Sequence, residues 1–228
     1  MIVVKAAIFD TDGTLVDTIE RFFQVLNQLV EESGRKPLSW DEFRRKYVED
    51  TLDDVVVPQK EKNREEKLHK FWMEFLRRYR DGNACGKLIP GVEKVFKKLH
   101  QEGVPVAVIT SCIVPPEKLK SELASYGLAG FVKIIATAHD VVKDLESGHH
   151  FSKVEILRLA AKKLGVAPND CVVVGDYWND IRDAKAIGAR TVGVLTGDMR
   201  KEVMNKYGPD AVVDSVREIF DVVEFEPK

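Results

Sequence analysis

The sequence predicts an α/β fold, a parallel sheet covered by helices, with a small all-helical domain inserted after the first strand. Two patterns lead there. Short β-branched runs alternate with segments of helical period along most of the chain. That alternation stops between about residues 18 and 82, where only helical patterns occur. A chain of 228 residues holds one α/β core plus a modest insertion and is short for two full domains.

The candidate strands are Ile2–Phe9, Pro105–Thr110, Lys133–Ala136, Cys171–Gly175, Thr191–Leu195 and Asp210–Val213. Their near-continuous apolar character is that of strands buried on both faces of a parallel sheet. Between them, Val92, Val95, Phe96 and Leu99 recur at helical spacing ahead of Gly103. Ser152 with Glu155 gives a capping signature for a helix that ends near Gly165, which places Lys153 at its first position. Inside the helical block, Ile19, Phe22, Phe23, Leu26, Leu29 and Val30 form one stripe, and Ser39 with Glu42 caps a shorter helix. A third, long helix carries Leu68, Phe71, Trp72, Phe75, Leu76 and Tyr79, a stripe read as core packing. The expected division is 1–16 with 84–228 as the α/β core domain, and 17–83 as the helical domain.

Composition narrows the partners. A formal charge of −2 leaves no electrostatic footprint for nucleic acid, and the 32% charged residues mix signs as a solvated surface does. Cys85, Cys112 and Cys171 are an odd set without CxxC spacing, which suits a reducing cytosol better than a disulfide framework or a zinc site. The opening run lacks the features of a signal peptide, and no window approaches eighteen apolar residues, so no membrane partner is expected and a cytoplasmic setting is. Monomer and homodimer both stay open.

The chemistry gathers at strand ends. Ile8-Phe9-Asp10-Thr11-Asp12-Gly13-Thr14 puts two acids at the C-terminal tip of a buried strand, where open α/β sheets bind ligands. Burying close carboxylates is costly unless a cation joins them, and oxygen-only ligands favour Mg²⁺ over zinc. Cys171-Val-Val-Val-Gly175-Asp176-Tyr-Trp-Asn-Asp180 repeats the pattern. Asp176 offers a further metal oxygen, and Asp180 can hold a metal-bound water or orient a neighbour. Helix capping explains Asp180 but not a second acid directly after the strand. Thr110 and Ser111, at the tip of another strand, could hydrogen-bond a phosphoryl oxygen, and Lys153 could add positive charge at a helix N-terminus.

In this order the elements resemble the haloacid dehalogenase (HAD) superfamily over nearly the whole chain. Asp10-Thr-Asp12-Gly-Thr matches its first motif, Thr110 its second, Lys153 its third, and Gly175-Asp176-x-x-x-Asp180 its fourth. Leu15-Val16-Asp17-Thr18, the helical insert, and Ile89-Pro90-Gly91-Val92 look like its phosphoglycolate-phosphatase-like branch. The third motif is loosest: the Lys-Pro pair common in that branch is missing, and Lys143 is the alternative lysine. His149 and His150, nearby, read as solvated loop residues.

The resemblance implies a Rossmann-like, HAD-like core with strand order 5-4-1-2-3 and a helical cap that closes over the site. It implies a phosphatase acting on a small phosphorylated metabolite through an aspartyl-phosphate. Asp10 is then the nucleophile and Asp12 the general acid and base. Mg²⁺ would be bound by the Asp10 and Asp176 carboxylates and the Asp12 main-chain carbonyl. Thr110, Ser111 and Lys153 would hold the phosphate, with Asp180 behind the metal ligands. Dehalogenase and phosphonate chemistry fit poorly, because both lack the second acid of the first motif. A sugar phosphomutase is the enzymatic rival, and a non-catalytic regulatory protein on a retired phosphatase fold the other alternative. Specificity is expected between Asp50 and Lys60 or near Thr18 and Arg21, while Trp178 and Cys112 read as packing residues.

Overall fold

The computed structural model describes residues 1–81, 86–147 and 150–226. The chain opens with β1 (Ile2–Val4), β2 (Ala6–Asp10) and β3 (Val16–Asp17). Four helices follow: α1 (Ile19–Glu32), α2 (Trp40–Val48), α3 (Leu52–Val56) and α4 (Arg64–Arg78). After β4 (Lys87–Leu88) come α5 (Val92–Gln101), β5 (Val106–Thr110), α6 (Pro116–Ser125) and β6 (Ile134–Thr137). Then come α7 (Val142–Ser147), α8 (Val154–Leu164), β7 (Cys171–Gly175), α9 (Trp178–Ala186) and β8 (Arg190–Val194). The last elements are α10 (Lys201–Asn205), β9 (Ala211–Val213), α11 (Ile219–Val222) and β10 (Val223–Phe225).

The central sheet is six-stranded and parallel, in the order β6-β5-β2-β7-β8-β9. This is the expected order, extended by one edge strand. Alternation along β2 divides the core in two. Ala7 and Phe9 face the side covered by Phe96 and Leu99 of α5 and Leu119 and Leu123 of α6. Ala6 and Ile8 face Ile156, Leu157 and Ala160 of α8. Phe9, which directly precedes Asp10, packs its ring 5.0 Å from that of Phe96.

The first apolar run is not one strand. It breaks at Lys5, whose N–H donates to the Asp170 carbonyl (2.7 Å) and whose ammonium pairs with the Asp170 carboxylate (2.9 Å). A lysine inside an otherwise apolar strand needs its charge near water. The chain bends there, and β1 leaves the main sheet to pair with β10. The helix expected to start at Lys153 also begins one residue later: Lys153 is itself the N-cap, and Ser152 does not act as one.

Helices α1–α4 share a third core, in which Leu26, Val30, Phe43, Trp72 and Phe75 meet Cys112 and Val114 from the loop after β5. The expected Ser39/Glu42 capping box is present; the short α3 is an addition. The chain segments entering and leaving the helical block pair with each other as β3 and β4, antiparallel. Gly86 lets them meet, since a Cβ there would lie 2.4 Å from Val16 Cγ1. No helix among the described residues is long and apolar enough to cross a membrane.

Because Phe96 is fully buried against the strand that ends in Asp10, Phe96→Ala is expected to cost about 3–5 kcal/mol of stability. Equilibrium denaturation with urea measures this.

Candidate active site

Three neighbouring strand tips converge. β2 ends at Asp10, β5 at Thr110 and β7 at Gly175, immediately before Asp176. The side chains of Asp10, Asp176 and Asp180 are 4%, 3% and 0% exposed as residues, and one carboxylate oxygen from each lies within 4.8 Å of the others. Lys153 is also buried and is aimed at the same point, with Nζ 2.8 Å from Asp10 Oδ1 and 2.6 Å from Asp180 Oδ1. Lys143, the alternative lysine, is exposed on α7.

Electrostatics follow from that burial. Loss of water pushes Asp10 up to about 7; Lys153 pulls it down, while Asp180 and Asp12 add to the rise. Burial also raises Asp176 well above the usual carboxylate range, with Asp10 and Asp180 adding to it. Asp180 rises by burial against the pull of Lys153. Burial works against the Lys153 ammonium, but Asp10 and Asp180 outweigh it and hold the group above its ordinary range. One ammonium facing three carboxylates leaves the cluster short of positive charge.

The surrounding backbone is built around Asp176. Gly13 has φ +83°, and a Cβ on it would lie 2.3 Å from Asp176 Oδ2; one on Gly197 would lie 1.7 Å from the same atom. Thr14 Oγ1 donates to Asp176 Oδ1 (2.7 Å), and Thr196 Oγ1 ties its loop to the Gly13 carbonyl (2.6 Å). Asp180 has two partners: Oδ2 accepts from the Tyr177 N–H at the start of α9, and Oδ1 accepts from Lys153. These residues fit a divalent cation: the donors are oxygens, the carboxylates are close and under-neutralised, and the Gly13 and Gly197 backbones pack directly against the Asp176 carboxylate. Asp183, one turn further along α9, accepts from the Lys153 N–H (2.7 Å). The sequence reading missed it, although its spacing from Asp180 marks it as the same helix face.

Asp12 stands apart from that trio. Both of its carboxylate oxygens accept from one nitrogen of Arg80, Nη2 (3.0 and 2.9 Å), and Oδ2 also accepts from the Thr110 hydroxyl (3.1 Å). Arg80 Nε donates to Glu122 (2.7 Å), which also pairs with Arg21 (2.7 Å). Arg80 follows α4 and Arg21 lies on α1, so the helical block supplies both cations facing Asp12. Arg80 and Glu122 did not stand out in the sequence, and Arg21 did so only as a position near which specificity was expected. The Ser111 hydroxyl is buried without a hydrogen-bond partner among the described residues, an arrangement costing about 1–3 kcal/mol unless a ligand occupies it.

A cavity of about 250 Å³ lies above the carboxylates, reached by Asp10, Asp12, Ser111, Lys153 and Asp176. The helical block closes its other side, held to the sheet side by Arg44–Asp198 and by the Tyr177 hydroxyl on Asp50. The long-helix stripe is core, as expected, with Leu68, Trp72, Phe75, Leu76 and Tyr79 buried in the cluster of the helical block, and Trp72, Phe75, Leu76 and Tyr79 border this cavity as well. Trp178 and Cys112, read as packing residues, line it too. Asp50, Leu52, Asp53, Thr18 and Ile19 line it from the two segments where specificity was expected. His150 is not a solvated loop residue: it is buried against Phe151, ring centroids 4.6 Å apart. His149 lies outside the described residues.

Residues 7–194 match the family of haloacid dehalogenase-like hydrolases, and the chain belongs to that family. It is 31% identical to a phosphoglycolate phosphatase of Neisseria meningitidis, covering 96% of this chain and 93% of that protein. It is 25% identical to phosphoglycolate phosphatase 1 of Pseudomonas aeruginosa, covering 94% and 78%. A haloacid dehalogenase-like family hydrolase from Streptococcus pneumoniae shares the fold, with a TM-score of 0.73, 17% identity, and coverage of 96% and 97%. The chain is thus an enzyme of the hydrolase class, and its full-length relatives are phosphatases by name.

Since the Gly197 backbone fixes Asp176, Gly197→Ala is expected to weaken binding of a divalent cation about 10–100-fold. Titration calorimetry reads the affinity, and circular dichroism checks that the fold persists.

Proposed function

We propose that this chain is a Mg²⁺-dependent phosphatase that hydrolyses a small phosphomonoester through a phosphorylated Asp10. The observation that carries the reading is the placement of Lys153 between Asp10 and Asp180, with Asp176 completing a buried carboxylate trio. Asp10 and Asp176, with the Asp12 main-chain carbonyl, are the candidate ligands of the ion, and Asp180 lies close enough to join them or to hold Lys153. When bound, Mg²⁺ would supply the positive charge that the trio lacks and ease the approach of an anionic phosphate.

The chain's own groups account for the rest. Asp10 attacks phosphorus, and the phosphorus–oxygen bond to the leaving alcohol breaks. Lys153 holds one Asp10 oxygen and leaves the other for the attack. Asp12 gives its proton to the leaving oxygen, then takes one from the water that cleaves the acyl phosphate. Its carboxylate is fixed for this by Arg80 and Thr110, and one of the Arg80 contacts must give way when Asp12 carries a proton. Ser111, with its unpartnered hydroxyl, would bind a phosphoryl oxygen as charge spreads over it, and Thr110 would join it by turning its one hydroxyl proton from Asp12 to the phosphate.

This reading divides the chain into a core domain, 1–16 and 84–228, and a cap, 17–83. The β3–β4 pair would be the joint between them. All the carboxylates that a retired phosphatase would be free to lose are kept, which weighs against a purely regulatory role.

Asp10→Asn should reduce phosphate release in the presence of Mg²⁺ to below a few per cent of wild type. Asp12→Asn should fail on alkyl phosphates yet recover in part with p-nitrophenyl phosphate, whose leaving group needs no proton. Equal loss on both substrates would remove Asp12 from the acid's role.

A further inference from the structure

Granted the phosphatase reading, we infer that the leaving group is an apolar alcohol, preferably aromatic, that carries no second anionic group. The wall facing the carboxylates is made of Phe22, Trp72, Phe75, Leu76 and Tyr79. Phe22 is at its centre, half-buried, with ring centroids 4.6 Å from Phe75, 6.2 Å from Trp72 and 6.1 Å from Tyr79. Phe151 continues the surface from the sheet side, 5.1 Å from Trp72. Phe22 and Phe151, both only partly buried, leave ring surface for another ring to pack against, and the buried Trp72, Phe75 and Tyr79 back it.

Charge supports the same conclusion. Among the described residues lining the cavity, Lys153 is the only lysine or arginine, and Asp10 and Asp180 already hold it. His150 is packed against the rings of Phe151 and His69. The arginines closest to the site, Arg21 and Arg80, are engaged by Glu122 and Asp12 and do not line the cavity. The wall instead presents acids: Asp50 beside Tyr177, and Asp53, which accepts from the Trp72 indole (2.7 Å). A carboxylate or second phosphate on the leaving group would be desolvated against rings and like charges, with no cation to receive it. The glycolate leaving group of the relatives' named substrate carries just such a carboxylate, so specificity here departs from those names.

The test compares kcat/KM of the wild-type enzyme with Mg²⁺ for benzyl phosphate, ethyl phosphate and 2-phosphoglycolate. These three release alkoxides of similar reactivity. Benzyl phosphate is expected to exceed ethyl phosphate by at least about tenfold and 2-phosphoglycolate by more. Phe22→Leu, which keeps an apolar side chain in the cap core, should pull the benzyl-to-ethyl ratio toward one. If 2-phosphoglycolate is turned over as well as benzyl phosphate or better, the inference is overturned while the phosphatase reading stands. If all three esters and acetyl phosphate are inert, the phosphatase reading falls and the inference with it.

Discussion

Three carboxylates and one ammonium, all removed from water at adjacent strand tips, set the terms for the rest of this molecule. Unpaired buried charge is among the most expensive features a fold can hold. Here it is held by geometry from several sources. The parallel sheet brings Asp10 and Asp176 to neighbouring tips, the start of α9 contributes Asp180, and the N-cap of α8 brings in Lys153. Two glycines, 13 and 197, let the backbone pack directly against the Asp176 carboxylate, where a Cβ would collide with it. A site so short of positive charge is prepared for a cation and for chemistry on an anion that arrives with it, and the family assignment agrees with that preparation.

Asp12 follows a different principle. It is separated from the trio and clamped by arginine from the helical block, so the residue that would handle protons is positioned by the domain that would handle specificity. The Asp12–Arg80–Glu122–Arg21 chain spans the first strand's tip, α6 and two segments of the block. The same ion pairs that orient Asp12 therefore also tie the block to the sheet side. The two linkers are paired as β3 and β4, so any hinge motion of the block would pivot about a short two-stranded pair rather than two independent threads.

The parts legible in the sequence were those encoded locally. Apolar runs ending in acids revealed the strand tips, and helical period revealed α1, α2 and α4. Strand order came from the family resemblance. Other parts depend on distant contacts. Arg80 meets Asp12 across 68 positions and Glu122 across 42, and no local pattern marks such a pair. The α4 stripe shows the reach of periodicity: it identified a buried face correctly, but it does not say that a cavity borders that face. The capping signature at Ser152 gave way because Asp183 holds the Lys153 N–H, turning the lysine itself into the cap. Lys5 split the first strand for want of a way to bury an ammonium.

Crystals of the protein soaked in Mn²⁺, with diffraction collected for anomalous signal, test the convergence of charge most directly. The account predicts one strong peak at the strand tips, with carboxylate oxygens of both Asp10 and Asp176 within about 2.0–2.3 Å of the ion. A map with no peak there, or with the ion bound to only one of the two strands' acids, would contradict it.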